Sequence, residues 1–137
     1  MKQYVLDACA MIAYFRDEHG AKHVDDLMRL AQSGSVRLRM HSLNLLEIYY
    51  DTYRLAGAEA AEEVLRITAS LPISITSSMG HKRLRIAGRL KAMHKISLAD
   101  SICISEAIMC SGTVVTSDRS EMESLQNTEN ISFLWLR

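Results

Sequence analysis

The sequence predicts an α/β fold built on a mainly parallel central sheet with helices on both faces. Three observations carry that expectation. Short apolar runs alternate along the chain with longer segments of helical period. The first run, Tyr4-Val5-Leu6, is continuous rather than alternating, as in a strand buried on both faces. One proline and six glycines leave few places for a linker, and neither an internal repeat nor a low-complexity tract interrupts the pattern.

The opening strand stops at Asp7, and the small and apolar residues Ala8 to Phe15 suit a helix that begins at once. Gly20 to Ala31 carries Val24, Leu27, Met28 and Ala31 at helical spacing, with Asp25, Asp26 and Arg29 between them, an amphipathic surface helix. Val36 to Met40 sets Val36, Leu38 and Met40 against Arg37 and Arg39, the period of a half-buried strand near a sheet edge. Ser42 is placed to cap a helix over Leu43 to Leu55, and after Gly57 a second helix runs from Ala58 to Leu71, its first turns rich in Glu59, Glu62 and Glu63. Pro72 to Thr76 reads as a short strand with its proline first, where a missing donor is tolerated. Ser78 opens a long helix to about His94. Ser97 caps another over Leu98 to Cys110, apolar almost all round and therefore buried. Thr113 to Ser117 is a strand, Ser120 to Gln126 a short helix and Ile131 to Leu136 the last strand.

A length of 137 residues and 48% hydrophobic content suit a single domain over residues 1–137 with one substantial core. Sixteen basic and sixteen acidic residues cancel, so electrostatic targeting rests on local asymmetry. Three cysteines without a Cys-x-x-Cys pair make neither a disulfide framework nor a thiolate zinc site, which fits a reducing cytoplasm. The start of the chain shows no secretion signal, and no segment reads as a membrane span.

Four acids stand at unusual positions: Asp7, Glu47, Asp100 and Asp118. Three have an ordinary reading as helix caps. Asp7 and Asp118 each precede a helix, Glu121 would serve Asp118 as reciprocal partner, and Ser97 to Asp100 matches a capping box. Glu47 is different. At about 100° per residue it shares a sector with Leu43, Leu46 and Tyr50, a stripe expected to face the core, where a carboxylate is costly unless it pairs with Arg54 or a bound cation. In a parallel sheet Asp7 and Asp118 would end neighbouring strands at one edge, with Glu47 and Asp100 on helices beside it. Such a cluster repels itself, and a hard divalent cation, Mg²⁺ or Mn²⁺, removes the conflict.

Tyr4-Val5-Leu6-Asp7, the helical Glu47, Ser97-Leu98-Ala99-Asp100-Ser101 and Val114-Val115-Thr116-Ser117-Asp118 together resemble the four acidic motifs of PIN-domain ribonucleases, particularly the VapC-type toxins of toxin-antitoxin pairs. The resemblance spans essentially the whole chain. It implies a three-layer α/β/α fold and an endoribonuclease in which Asp7, Glu47, Asp100 and Asp118 hold one or two Mg²⁺ or Mn²⁺ ions that activate water against an RNA phosphodiester. It also implies a homodimer and a small antitoxin partner whose tail enters the acidic cleft. One position departs from the pattern. The family often carries Ser, Thr or Asn two residues after the first acid, and here Cys9 offers a weaker hydrogen-bond partner, while Thr116 keeps a hydroxyl two residues before the last acid. Glu121 is either an outer, fifth carboxylate or, as the favoured reading, a helix-capping residue.

For RNA contact the sequence offers one basic stretch, His81 to Lys95, with Lys82, Arg83, Arg85, Arg89 and Lys91 and no acid among them. The plainer reading, a solvated face packed through Leu84, Ala87 and Leu90, is compatible with it. Arg37 and Arg39 are weaker candidates. Tyr49, Tyr50 and Tyr53 suit a core or subunit interface better than base stacking. Cys103 and Cys110 read as core residues, and His19, His23 and His41 show no ligand spacing. Two other functions compete with the nuclease: a catalytically weak PIN module that binds RNA or assembles a complex, and a phosphatase with an aspartate nucleophile, which lacks the second acid of its Asp-x-Asp pair here.

Overall fold

The computed structural model describes residues 1–137, and its elements run β1 (Lys2–Leu6), α1 (Ala8–Phe15), α2 (Ala21–Gln32), β2 (Val36–His41), α3 (Ser42–Ala56), α4 (Ala58–Ser70), β3 (Ile73–Thr76), α5 (His81–Met93), α6 (Leu98–Cys110), β4 (Thr113–Thr116), α7 (Arg119–Met122), α8 (Leu125–Thr128) and β5 (Ser132–Trp135). The strands form one sheet in the order β3-β2-β1-β4-β5, and every pairing is parallel. Strand alternation then sorts the core into two halves. Tyr4, Leu6, Leu38, Met40 and Val115 face Met11, Val24, Leu27, Ile48 and Val64 of the first four helices. Val5 and Val114 face Leu90, Cys103, Ile104, Met122 and Leu125 of the later ones. Helices on both faces of a parallel sheet make the three-layer α/β/α arrangement. Each large side chain fully buried in it, Leu6 and Ile104 among them, contributes about 1.5–3 kcal/mol.

Strand order reverses at β1. The chain moves from β1 outward through β2 to β3, then crosses back to place β4 on the other side of β1. Ligands of open α/β sheets bind at such a switch point, beyond the carboxyl ends of the strands.

Several local expectations change. The strand expected near an edge, β2, lies between β1 and β3, and the edges are β3 and β5. Its alternation has another cause: Arg39 turns to the α6 side of the sheet and pairs there with Glu106 at 3.3 Å. His41 rather than Ser42 caps α3. Its Nδ1 accepts the Leu43 N–H at 3.0 Å, which leaves Nε2 to donate to the Ser78 carbonyl at 2.9 Å. The helix expected from Ser78 begins at His81 after Gly80, and the short helix near the C-terminus is two single turns, α7 and α8. The stripe holding Glu47 is not the buried one. Asn44 and Ile48 face the core, while Leu46 and Tyr50 are 51% and 41% exposed.

Candidate active site

Asp7 leaves the end of β1 and caps α1, its Oδ1 accepting the Ala10 N–H at 2.8 Å. Its Oδ2 is buried with no hydrogen-bond partner. The cap therefore accounts for only half of this carboxylate. Next to it, β4 ends at Thr116, whose hydroxyl accepts the Asp118 N–H at 3.0 Å and turns that residue over the sheet edge. Asp118 caps α7 in turn, its Oδ1 accepting from the Ser120 hydroxyl at 2.9 Å and the Glu121 N–H at 3.3 Å. Ser97 caps α6 by accepting the Asp100 N–H at 3.0 Å, which places buried Asp100 on the first turn.

These caps bring the side chains to one place. One carboxylate oxygen from each of Asp100, Asp118 and Glu121 lies within 4.8 Å of the others. Glu121, expected to cap with its side chain, instead offers its N–H to Asp118, and its carboxylate joins the cluster. Glu47 stands at the half-buried rim, where burial first and then the charges of Glu121 and Asp51 raise its carboxyl and the Tyr50 hydroxyl opposes the rise. Arg54, its expected ion-pair partner, instead meets Asp51 at 3.5 Å and lies over the Tyr50 ring.

The electrostatics follow from burial without counter-charge. Burial lifts the Asp7 carboxyl to about 7; the Thr116 hydroxyl and Ala10 N–H oppose that rise, and the charges of Asp118 and Glu47 add to it. Burial likewise raises Asp100, followed by its contact with Glu121 and the charge of Asp7. Burial first and then Asp7, Asp118, Asp100 and Glu47 push the Cys9 thiol up to about 12, so it stays protonated. Cys9 makes no hydrogen bond to any of these acids, and the support at this position passes to Thr116. Every ion pair in the structure uses other acids, namely Asp25, Asp26, Asp51, Glu63, Glu106, Glu123 and Glu129. Three carboxylates thus converge without a basic side chain among them, and the charges of Asp7 and Glu47 act on the same place.

That donor set fits a hard divalent cation. It is all oxygen, it is unneutralised, and it includes a buried oxygen, Asp7 Oδ2, with no partner.

The basic stretch on α5 is less available than its sequence suggests. Arg83 is 4% exposed, donates to the Ser78 carbonyl at 2.9 Å and pairs with buried Glu106, so it is a structural residue and not an RNA contact. Arg89 forks onto Glu129 at 2.9 and 3.1 Å, and Lys91 donates to the Ile96 carbonyl at 2.7 Å. Lys82 and Arg85 are exposed and unpaired.

A family model described as PIN domain matches residues 4–125, a span that takes in all five acids. The chain belongs to the PIN-domain family. Among solved structures this PIN domain is similar to a chain of VapBC2 from Rickettsia felis bound to a DNA fragment from their promoter, with 20% identity, a TM-score of 0.72 and coverage of 96% of this chain and 97% of that one. It is similar also to a chain of DNA-bound VapBC from Salmonella typhimurium, at 15% identity, TM-score 0.76 and full coverage of both chains (100% and 100%). A third likeness is to VapC20 of Mycobacterium tuberculosis, described as a sarcin-ricin loop cleaving toxin, at 16% identity, TM-score 0.60 and coverage of 81% and 86%. At these identities the likeness is one of fold. A search of curated proteins found no match.

Proposed function

We propose that this PIN domain is a divalent-cation-dependent endoribonuclease acting as the toxin of a toxin-antitoxin pair. The observation that carries the reading is the convergence of Asp100, Asp118 and Glu121 within 4.8 Å, beside the partnerless Oδ2 of Asp7, at the switch point of a PIN-family sheet. Asp7, Asp100, Asp118 and Glu121 would hold Mg²⁺ or Mn²⁺, with Glu47 at the rim. A cation so held supplies a more acidic water and charge stabilisation for a phosphoryl oxygen. The protein's own part is to keep these carboxylates fixed: Thr116 and Ser97 orient Asp118 and Asp100 through the backbone, and the Ala10 N–H fixes Asp7. In this reading the acids serve chiefly as ligands of the cation rather than as proton donors.

An antitoxin partner is supported by the like-folded chains, which come from VapBC complexes. A second copy of this chain is supported by apolar side chains left exposed on α3, α5 and α6, Leu46 at 51%, Leu84 at 55% and Leu98 at 58%. Lys82 and Arg85 on α5 supply the exposed charge for RNA. The reading as a weak RNA-binding module draws on Cys9, whose thiol gives the acids no hydrogen bond.

The test is cleavage of total cellular RNA with Mg²⁺ or Mn²⁺ by the wild type and by Asp100→Asn. Cleavage by the wild type and its loss in a variant that still folds is the expected result. Equal cleavage by both removes the site from the mechanism.

A further inference from the structure

The acid cluster would repel an RNA strand, and two of the three α5 arginines, Arg83 and Arg89, are tied to Glu106 and Glu129. A different cation stands next to the site. Arg119 directly follows Asp118, and its guanidinium carbon lies 4.7 Å from the centre of the Trp135 ring, which itself stacks with Phe133 at 4.6 Å and 8°. Trp135 pairs with Thr116 in the β4–β5 register, so this stack sits at the same sheet edge as the acids. Nε donates to the Arg137 carbonyl at 3.0 Å, Nη1 is 3.8 Å from Glu123, and Nη2 has no partner. The side chain is nonetheless 47% exposed.

This is a guanidinium fixed in orientation on one face with a free donor edge in water. Such an arginine loses little rotamer entropy when it takes a phosphate. We propose that Arg119 is a positioning residue for RNA, its Trp135-clamped guanidinium holding through Nη2 a phosphate that adjoins the one cut at the carboxylates. The inference rests on the RNA reading above. A purely structural Arg119 would need no free edge, and its removal would affect folding without changing the ionic character of binding.

The experiment measures binding of a fluorescent single-stranded RNA oligonucleotide across a salt series in EDTA, where cleavage is silent, followed by steady-state cleavage with Mn²⁺. Arg119→Gln should weaken binding about three- to tenfold and lower the slope of log affinity against log salt by about 0.7, the loss of one phosphate contact on a single strand. In cleavage its KM should rise by a similar factor while kcat stays within about twofold. Arg119→Lys, which keeps the charge, should restore the slope. Unchanged affinity and slope in Arg119→Gln, or a slope in Arg119→Lys as low as in Arg119→Gln, overturns the assignment while the nuclease reading stands. A wild type that neither binds nor cuts RNA overturns both.

Discussion

Asp7 holds its proton against a pKa raised to about 7 by burial, so between about pH 4 and 7 the folded chain binds more protons there than the unfolded one. Stability from this group is therefore full below about pH 4 and is lost as pH rises through 7, by up to about 4 kcal/mol. The melting temperature of the protein in EDTA should fall from pH 5 to pH 8, and Asp7→Asn, whose amide oxygen can still cap α1, should flatten that fall. A wild-type profile that rises over this range would contradict the picture of an unneutralised site. Arg83 and Glu106 make the opposite case, a buried pair in which each charge needs the other. Glu106→Gln should destabilise the fold by about 3–5 kcal/mol in urea unfolding, whereas Lys82→Gln, on an exposed side chain, should change stability by less than about 0.5 kcal/mol. Asp7, Asp100 and Asp118 were legible as candidates because each ends or opens an apolar segment. Glu121 was misread, since the capping signature gives a spacing and cannot say whether the backbone or the carboxylate of the third residue is used. Arg83 was misread because its partner lies twenty-three positions away on another helix. Arg119 carried no sequence signal at all, for its partner Trp135 is met only across the β4–β5 pairing.

The elements were readable to within a few residues where the pattern was strong, as in β1, α2 and α6, and less so where a cap came from an unexpected residue. His41 joins the start of α3 to the loop before α5, so His41→Ala should cost about 0.5–2 kcal/mol, the range for a lost helix cap. Gly20 is a stricter case. It opens α2 at φ 95°, and a Cβ there would stand 2.7 Å from the Leu136 Cβ just past β5. Gly20→Ala should therefore lower stability by about 1–3 kcal/mol in thermal or urea unfolding, with an unchanged melting curve as the contrary result. The stripe of α3 shows the limit of periodicity. Leu43, Leu46, Glu47 and Tyr50 and the pair Asn44 and Ile48 are both consistent with a helical period, and only the packing of α3 on its neighbours selects the second as the buried face.

At the scale of the molecule, alternation of strands and helices fixed the sheet as parallel and its ends as a common edge, which is why a site at the carboxyl end of β1 was legible before the strand order was known. The order itself, β3-β2-β1-β4-β5, was not, because strands of similar composition compete for the same neighbours. That order makes β1 and β4 adjacent and so brings Asp7 beside Asp118 and the cluster of Asp100 and Glu121. The exposed apolar side chains belong to this scale too. Leu84→Glu should convert a dimer to a monomer in size-exclusion chromatography with light scattering if a second copy covers α5, and an unchanged mass would place the partner elsewhere. The central property of these carboxylates is to gather a cation, and calorimetric titration of the purified protein with Mn²⁺ at pH 7 measures that without recourse to a substrate. Saturable binding accompanied by proton release at pH 7, and at least about tenfold weaker in Asp118→Asn, is the expected result. No binding, or equal affinity in that variant, would contradict it.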